Sequence, residues 1–268
     1  MSQNGKNSLS TIQLCGYDKD ENRCLTMALT RGKFIDFMAK LPPCIVAMES
    51  CGSSNYWARK FMGFGHEVKL INPKFVKPYV KTNKNDFNDA EAICEAASRK
   101  NMRFVTPKSV EQQDIQSIHR IRTRFIQQRT ALVNQARGLL AEYGIIIGQG
   151  INNFRSTITE ILEDAENGLS FIIRECLNEA YKELVSIDER ISNYDNKINN
   201  ILENNAACKR IEKIPGVGPM TATAIVACIG EKAEGFENGR HLSAYFGLVP
   251  KQNSSGNKIN LLGISKRG

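Results

Sequence analysis

The chain has 268 residues, 41% of them hydrophobic, and sets 36 Lys and Arg against 28 Asp and Glu for a formal net charge of +8. That apolar share excludes a disordered chain, no apolar run approaches the roughly 20 residues that cross a bilayer, and the polar Met1–Ser10 excludes a secretory signal. Eight cysteines without a Cys-x-x-Cys pair and only three histidines argue for reduced thiols in a cytoplasmic protein and against zinc, while the basic excess favours nucleic acid as partner.

Thr11–Cys15 and Cys24–Leu29 read as strands joined by the polar turn Asp18–Asn22. Lys33–Leu41 predicts a helix and Cys44–Met48 a short buried strand. Tyr56–Met62 is helical, with Gly63 and Gly65 near its end, and Trp57 belongs to the core. Glu67–Ile71 predicts a strand stopped by Asn72-Pro73, and Asn88–Arg99 a further helix. A hairpin followed by alternating helix and strand implies a mixed sheet flanked by helices over residues 1–108.

Residues 109–210 have another pattern. From Val110 to Tyr143 apolar residues recur at helical spacing on one long helix rich in Gln and Arg. A second helix runs from about Leu169 to Lys209. The seven-residue steps Leu177 to Leu184 and Ile191 to Ile198 predict an antiparallel hairpin or coiled coil, serving dimerisation or simply filling space as a bundle. In residues 211–268, Ile214-Pro-Gly-Val-Gly218 precedes the apolar helix Met220–Ile229. Gly239–Gly247 then leads into Leu248-Val-Pro250 and the polar Lys251–Lys258. The chain stops on Ser265-Lys-Arg-Gly268, which reads as a basic loop with no helix or strand to close it.

Three segments could carry chemistry. Asp86 and Asp89, spaced i and i+3, share one face at the start of a predicted helix, and Glu49 ends the apolar run Cys44–Met48. A strand bearing one acid and a helix bearing two can hold magnesium for phosphoryl transfer, although Asp86 can equally cap the helix and Asp89 decorate its first turn. Lys74, Lys77, Lys81 and Lys84 form a basic strip ahead of that helix, suited to a phosphate backbone or to a solvated face. Gly216 and Gly218 let the backbone turn tightly before a helix N-terminus, as in a helix-hairpin-helix element that grips phosphates, or as in a plain turn. Finally, Ser254-Ser255-Gly256 lies between Lys251 and Lys258. A serine hydroxyl needs neighbouring cations or a metal to act as a nucleophile, and such a segment is otherwise only a loop.

Taken together, these segments resemble the DEDD-type transposases of bacterial insertion sequences, the group that includes the Piv-type DNA invertases. The matching residues are Ala47–Ser53, Gly65–Pro73, Lys77–Lys81, Asn85–Ala92, Ile214–Gly218, Phe246–Pro250, Ser254–Gly256 and Leu262–Gly268. The resemblance implies a RuvC-like, RNase H-type mixed-sheet domain, a long helical coiled-coil middle and a small helical C-terminal transposase domain with a helix-hairpin-helix-like element. It implies an enzyme that exchanges DNA strands with Mg2+ through a covalent serine–DNA intermediate, on donor and target DNA selected by a noncoding bridge RNA. Carried over, Glu49, Asp86 and Asp89 are three of four metal-binding acids, and Ser255 is the nucleophile with Ser254 as the near alternative. Lys74, Lys77, Lys81, Lys84, Gly216, Gly218, Lys251 and Lys258 would hold nucleic acid. A homodimer or homotetramer would join two duplexes. In the family a strand carrying Gly-Ile-Asp precedes a Gly-Lys-Asn-like turn. Here Gly5-Lys6-Asn7 fits the turn, but the aspartate position falls on or near Gln3. The expectation is a chain truncated at both ends. An inactive nucleic-acid-binding remnant and a metal-dependent junction nuclease that uses water stay open as alternatives.

Overall fold

The computed structural model describes residues 11–20, 22–80, 86–231, 233, 235–256 and 258–264. The chain divides into two compact units, Met1–Ser109 with Gly235–Gly268, and Val110–Glu234.

In the first unit, β1 (Ile12–Tyr17) and β2 (Arg23–Leu29) form an antiparallel hairpin with Ile12 opposite Leu29. Its turn is held by the Asp18 carboxylate, which accepts the backbone N–H groups of Asp20 at 2.9 Å and Asn22 at 2.8 Å. There follow α1 (Arg31–Lys40), β3 (Ile45–Glu49), α2 (Ser54–Met62) and β4 (Glu67–Ile71), which runs parallel to β3. Asn72 then caps the short α3 (Pro73–Val76) by accepting the Lys74 N–H at 3.0 Å, with proline at the first helical position. A single 3-10 turn, Lys77–Tyr79, precedes α4 (Asp86–Ser98), and β5 (Phe104–Val105) pairs antiparallel with β4.

The three-stranded sheet, ordered β3-β4-β5, is mixed, but among the described residues the β1–β2 hairpin is a sheet of its own. What joins the two is side-chain packing. Ile12, Leu14 and Leu29 of the hairpin meet Val46, Met48 and Val68 around buried Phe34, Met38, Trp57 and Phe61. A second cluster, Ile71, Val76, Ala92 and Ala96, seats α3 and α4. The alternation of strand side chains sorts the two cores: Val68 enters the first and Ile71 the second. His66 is structural. Its Nε2–H donates to Met38 O at 2.9 Å, which leaves Nδ1 to accept the Cys44 N–H at 3.3 Å.

The second unit is helical: α5 (Val110–Ala141), α6 (Ile151–Glu163), α7 (Phe171–Asn204), α8 (Ala206–Glu212) and α9 (Pro219–Ile229). Arg122 pairs with Asp195, and Arg129 with Asp188 at 3.1 Å. Partner numbers fall as the arginine numbers rise, so α5 and α7 are antiparallel. Sequence periodicity did not announce α6. Its last carbonyls are satisfied from outside, where the Arg174 guanidinium donates to Ile161 O at 3.2 Å and Leu162 O at 2.9 Å. The single helix expected over 169–209 is instead two, because Asn205 turns extended and accepts the Cys208 N–H at 2.9 Å, capping α8. Residues 211–229, grouped by motif with the C-terminal block, lie in the helical unit, where Leu202 and Cys208 pack against Ala222 and Val226.

The remaining segment carries α10 (Gly239–Tyr245), capped by Asn238, and then β6 (Pro250–Gln252) and β7 (Leu261–Ile264), an antiparallel hairpin. The small C-terminal domain expected to be helical therefore also holds a strand hairpin, while Ser265–Gly268 lie outside the described residues. The polar run Lys251–Lys258 masks the short apolar strand that follows it.

Candidate functional site

The acids sit where strand and helix patterns intersect. Val46 and Met48 of β3 belong to the core around Phe61, so the alternate residues, Ala47 and Glu49, take the other face. On α4, Ala92 and Ala96 are buried, and the same stripe continues toward the helix N-terminus through Asp89 and Asp86. The small alanines let α4 lie close to the strands. Glu49 and Asp89 are thereby brought into electrostatic range. The Glu49 carboxyl is pushed above the usual carboxylate range, first by burial and then by the negative charge of Asp89. Asp86, the first residue of α4, is exposed. Among the described residues no three His, Cys, Asp or Glu side chains stand close enough to hold a metal ion together. Two hard oxygen donors whose mutual repulsion a cation would relieve nonetheless suit a divalent ion in their chemistry. Gln3 and Gly5-Lys6-Asn7 lie outside the described residues.

The seat of α4 on the hairpin has a polar seam that sequence reasoning missed. The Tyr17 hydroxyl donates to Glu91 at 3.2 Å, and the Cys94 thiol to Cys15 O at 3.3 Å. Burial, with Cys15 beside it, pushes the Cys94 thiol up to about 12, so it stays protonated. The signal was present as i, i+2 on β1 and i, i+3 on α4, but it becomes meaningful only once the two elements are known to touch.

The serines lie in the loop of the β6–β7 hairpin. Ser254 Oγ accepts from Gln252 Nε2 at 3.0 Å and from the Asn260 N–H at 3.2 Å. Ser255 pairs through its backbone with Lys258, and Gly256 follows with φ +55°, a conformation that favours glycine. Among the described residues the Ser255 hydroxyl makes no hydrogen bond, and none of Glu49, Asp86 and Asp89 is bonded to either serine.

Lys74 and Lys77 are exposed, with Lys74 Nζ 5.1 Å from the Phe75 ring centre. Lys81 and Lys84 lie outside the described residues, as do Lys266 and Arg267. Lys251 and Lys258 flank the serine loop and are exposed. Between α8 and α9, Gly216 has φ +84° and Gly218 precedes Pro219, with open space where a side chain would stand on either glycine. No helix among the described residues is long and apolar enough to cross a membrane.

Residues 10–145 match a DEDD-type transposase family model of the IS110 group, and residues 208–268 match the transposase IS116/IS110/IS902 family model. The transposase for insertion sequence element IS1111A of Coxiella burnetii is 47% identical over 257 residues, spanning 96% of this chain and 70% of that protein. A probable family 20 transposase of Pseudomonas aeruginosa is 44% identical, spanning 96% of this chain and 76% of its own length. The transposase for insertion sequence element IS1328 of Yersinia enterocolitica is 38% identical, spanning 98% of this chain and 77% of that protein.

Proposed function

This chain belongs to the IS116/IS110/IS902 family of insertion-sequence transposases, and from that premise we propose how its residues divide the work of strand exchange. It is a DNA transposase whose N-terminal part is a DEDD transposase domain of the RuvC-like superfamily, a class that works with divalent metal ions. In our reading the ion is Mg2+, held by Glu49 and Asp89 with Asp86 one turn away. Support comes from one observation above all: burial and the Asp89 charge together raise the Glu49 carboxyl. When bound, the ion supplies positive charge at the phosphodiester under attack.

The Ser255 Oγ attacks phosphorus, gives up its proton, forms a serine–DNA phosphoester and frees one sugar hydroxyl. A sugar hydroxyl of the second duplex then attacks that ester and restores the serine, so phosphodiester bonds are conserved. Ser255 is preferred over Ser254 because the Ser254 hydroxyl is occupied by Gln252 and Asn260. Lys251 and Lys258 flank the loop as phosphate contacts, and Gly216 and Gly218 act as a helix-hairpin-helix grip on backbone. Lys74, Lys77, Lys81 and Lys84 hold DNA or a bridge RNA that selects donor and target. By function the RuvC-like domain is 1–108, the helical middle 109–210 is a coiled coil, and the C-terminal transposase part is 211–268, of which 211–229 pack within the helical unit. The working form is a homodimer or homotetramer in the cytoplasm. An inactive nucleic-acid-binding remnant is the second reading, favoured by the lack of a three-acid cluster among the described residues.

The test is an adduct assay with labelled DNA carrying the ends of the encoding element, its flanking transcript and Mg2+. An adduct stable to detergent, kept by Ser254→Ala and lost in Ser255→Ala, Glu49→Gln and Asp89→Asn, is the expected result. An adduct that survives Ser255→Ala overturns the serine assignment, and no adduct from the unmodified chain favours the remnant.

A further inference from the structure

The arginines of α5 divide into two sets. Arg122 and Arg129, seven residues apart, face α7 and are paired there with Asp195 and Asp188. Arg120 and Arg124 point the opposite way, since two residues are a rotation of about 200° on a helix. Both are exposed, and among the described residues neither forms an ion pair. They open instead onto a groove of about 350 Å³ between α5 and α9.

The groove is built, not incidental. His119 Nε2 lies 3.0 Å from Thr223 Oγ1, whose hydroxyl donates to Pro219 O at 2.8 Å. The imidazole is therefore the donor, and it ties α5 to α9. About two helical turns earlier, Gln112 Nε2 donates to Val226 O at 3.3 Å. One wall carries Arg120 and Arg124 with Gln116 and Gln127 at its two ends. The facing wall is Ala224, Ala227 and Cys228, small and uncharged. Among the described residues no acidic side chain lines it. The four α5 side chains span about 16 Å of helix, and the two guanidiniums are offset by about 6 Å along the axis.

These dimensions select a ligand. A duplex is too wide for a slot between two packed helices, whereas one unpaired nucleotide fits the volume. Guanidiniums suit phosphate oxygens and the faces of bases, an alanine wall accepts an apolar base face, and glutamine amides can read a base edge. We propose that the α5–α9 groove binds an unpaired nucleotide of a nucleic-acid strand, with Arg120 and Arg124 on its flanking phosphates and its base against the Ala224–Cys228 wall. This site does not depend on the acids or on the serine loop.

The test is fluorescence anisotropy of the full chain with fluorescein-labelled 16-residue oligo(dT), oligo(U) and a duplex DNA of equal length. Arg120→Ala/Arg124→Ala should weaken binding to a single-stranded probe about tenfold or more at low salt. It should also make the dependence of log affinity on log salt shallower by about 1.4, as loss of two phosphate contacts on a single strand requires. Loss confined to oligo(U) assigns the groove to an RNA strand, and loss confined to oligo(dT) to a DNA strand. The charge-matched control Lys182→Ala/Lys209→Ala, at two exposed lysines that do not line the groove, should change affinity less than about twofold. Wild-type protein supplies a second measurement: a saturating oligonucleotide should slow alkylation of Cys228 by iodoacetamide, read by peptide mass spectrometry. Unchanged binding of both single strands, equal loss in the control, loss confined to the duplex, or a Cys228 rate unaffected by oligonucleotide each overturns the proposal.

Discussion

The acid pair and the serine hairpin are placed by opposite means. Glu49 ends a strand whose Val46 and Met48 sit in a core around Phe61, and Asp89 begins a helical stripe continued by buried Ala92 and Ala96. Their separation is set by side chains that have nothing to do with metal or DNA. The β6–β7 hairpin has no such backing: every residue of both strands is exposed, Leu261 at 61% and Ile264 at 55%. Its loop shape rests on local hydrogen bonds to Ser254 and on the left-handed Gly256. Under the proposed roles, the contrast teaches that acids sharing a cation sit on a rigid frame, whereas a nucleophile that must reach a strand can be carried on an exposed turn.

The contrast breaks hardest at Phe61, which is fully buried. Phe61→Ala should cost about 3–5 kcal/mol in urea denaturation, while Leu261→Ala in the hairpin should cost under about 0.5 kcal/mol. Comparable losses would mean that the hairpin is as deeply supported as the sheet. Next in size, Ala96→Leu overpacks the seat of α4 and should cost about 1–3 kcal/mol. Because α4 carries Asp89, this variant should also lose divalent-ion affinity without touching an acid. A variant destabilised to that extent with unaltered ion binding would separate the acid geometry from the core.

A smaller effect belongs to His119, whose imidazole is held below its usual value first by burial and then by the Arg122 charge. A depressed value means that the unfolded chain takes up a proton that the folded one resists. Stability should therefore be complete above about pH 6.5 and fall as pH drops through the lowered folded value. His119→Gln keeps a donor for Thr223 and should flatten that slope in thermal melts between pH 7 and 5. An identical slope in wild type and variant would rule His119 out as its source. Smallest of all, Ser254→Ala should cost about 0.5–1 kcal/mol locally and speed amide exchange at Asn260. Ser255→Ala should leave that exchange rate alone. Equal acceleration in both would erase the distinction drawn between the two serines.

Much of this frame was legible in the residues. The β1–β2 hairpin and the alternation through β3, α2, β4 and α4 follow from apolar period and turn chemistry, because each is long enough to show its period. Phe104–Val105 is two residues long and has no period to read. The break in the second long helix depends on which group the Asn205 side chain caps, a choice made by packing of α8 on α9. Strand end and helix start each advertise one face, which is why Glu49 and Asp89 could be expected in electrostatic range, whereas the expected grouping with Asp86 is not found among the described residues. The seam of Tyr17 with Glu91, and the groove at Arg120 and Arg124, were not legible. Each needs two elements brought into register, and sequence spacing within one element carries no such information.

The most direct test of the acid frame is calorimetric titration of Mg2+ and Mn2+ into wild type, Glu49→Gln, Asp89→Asn and Asp86→Asn. We predict that Glu49→Gln and Asp89→Asn each lose binding severely, with a lesser loss for the exposed Asp86→Asn. Undiminished binding in both Glu49→Gln and Asp89→Asn would contradict the claim that these two carboxylates are the seat of the metal.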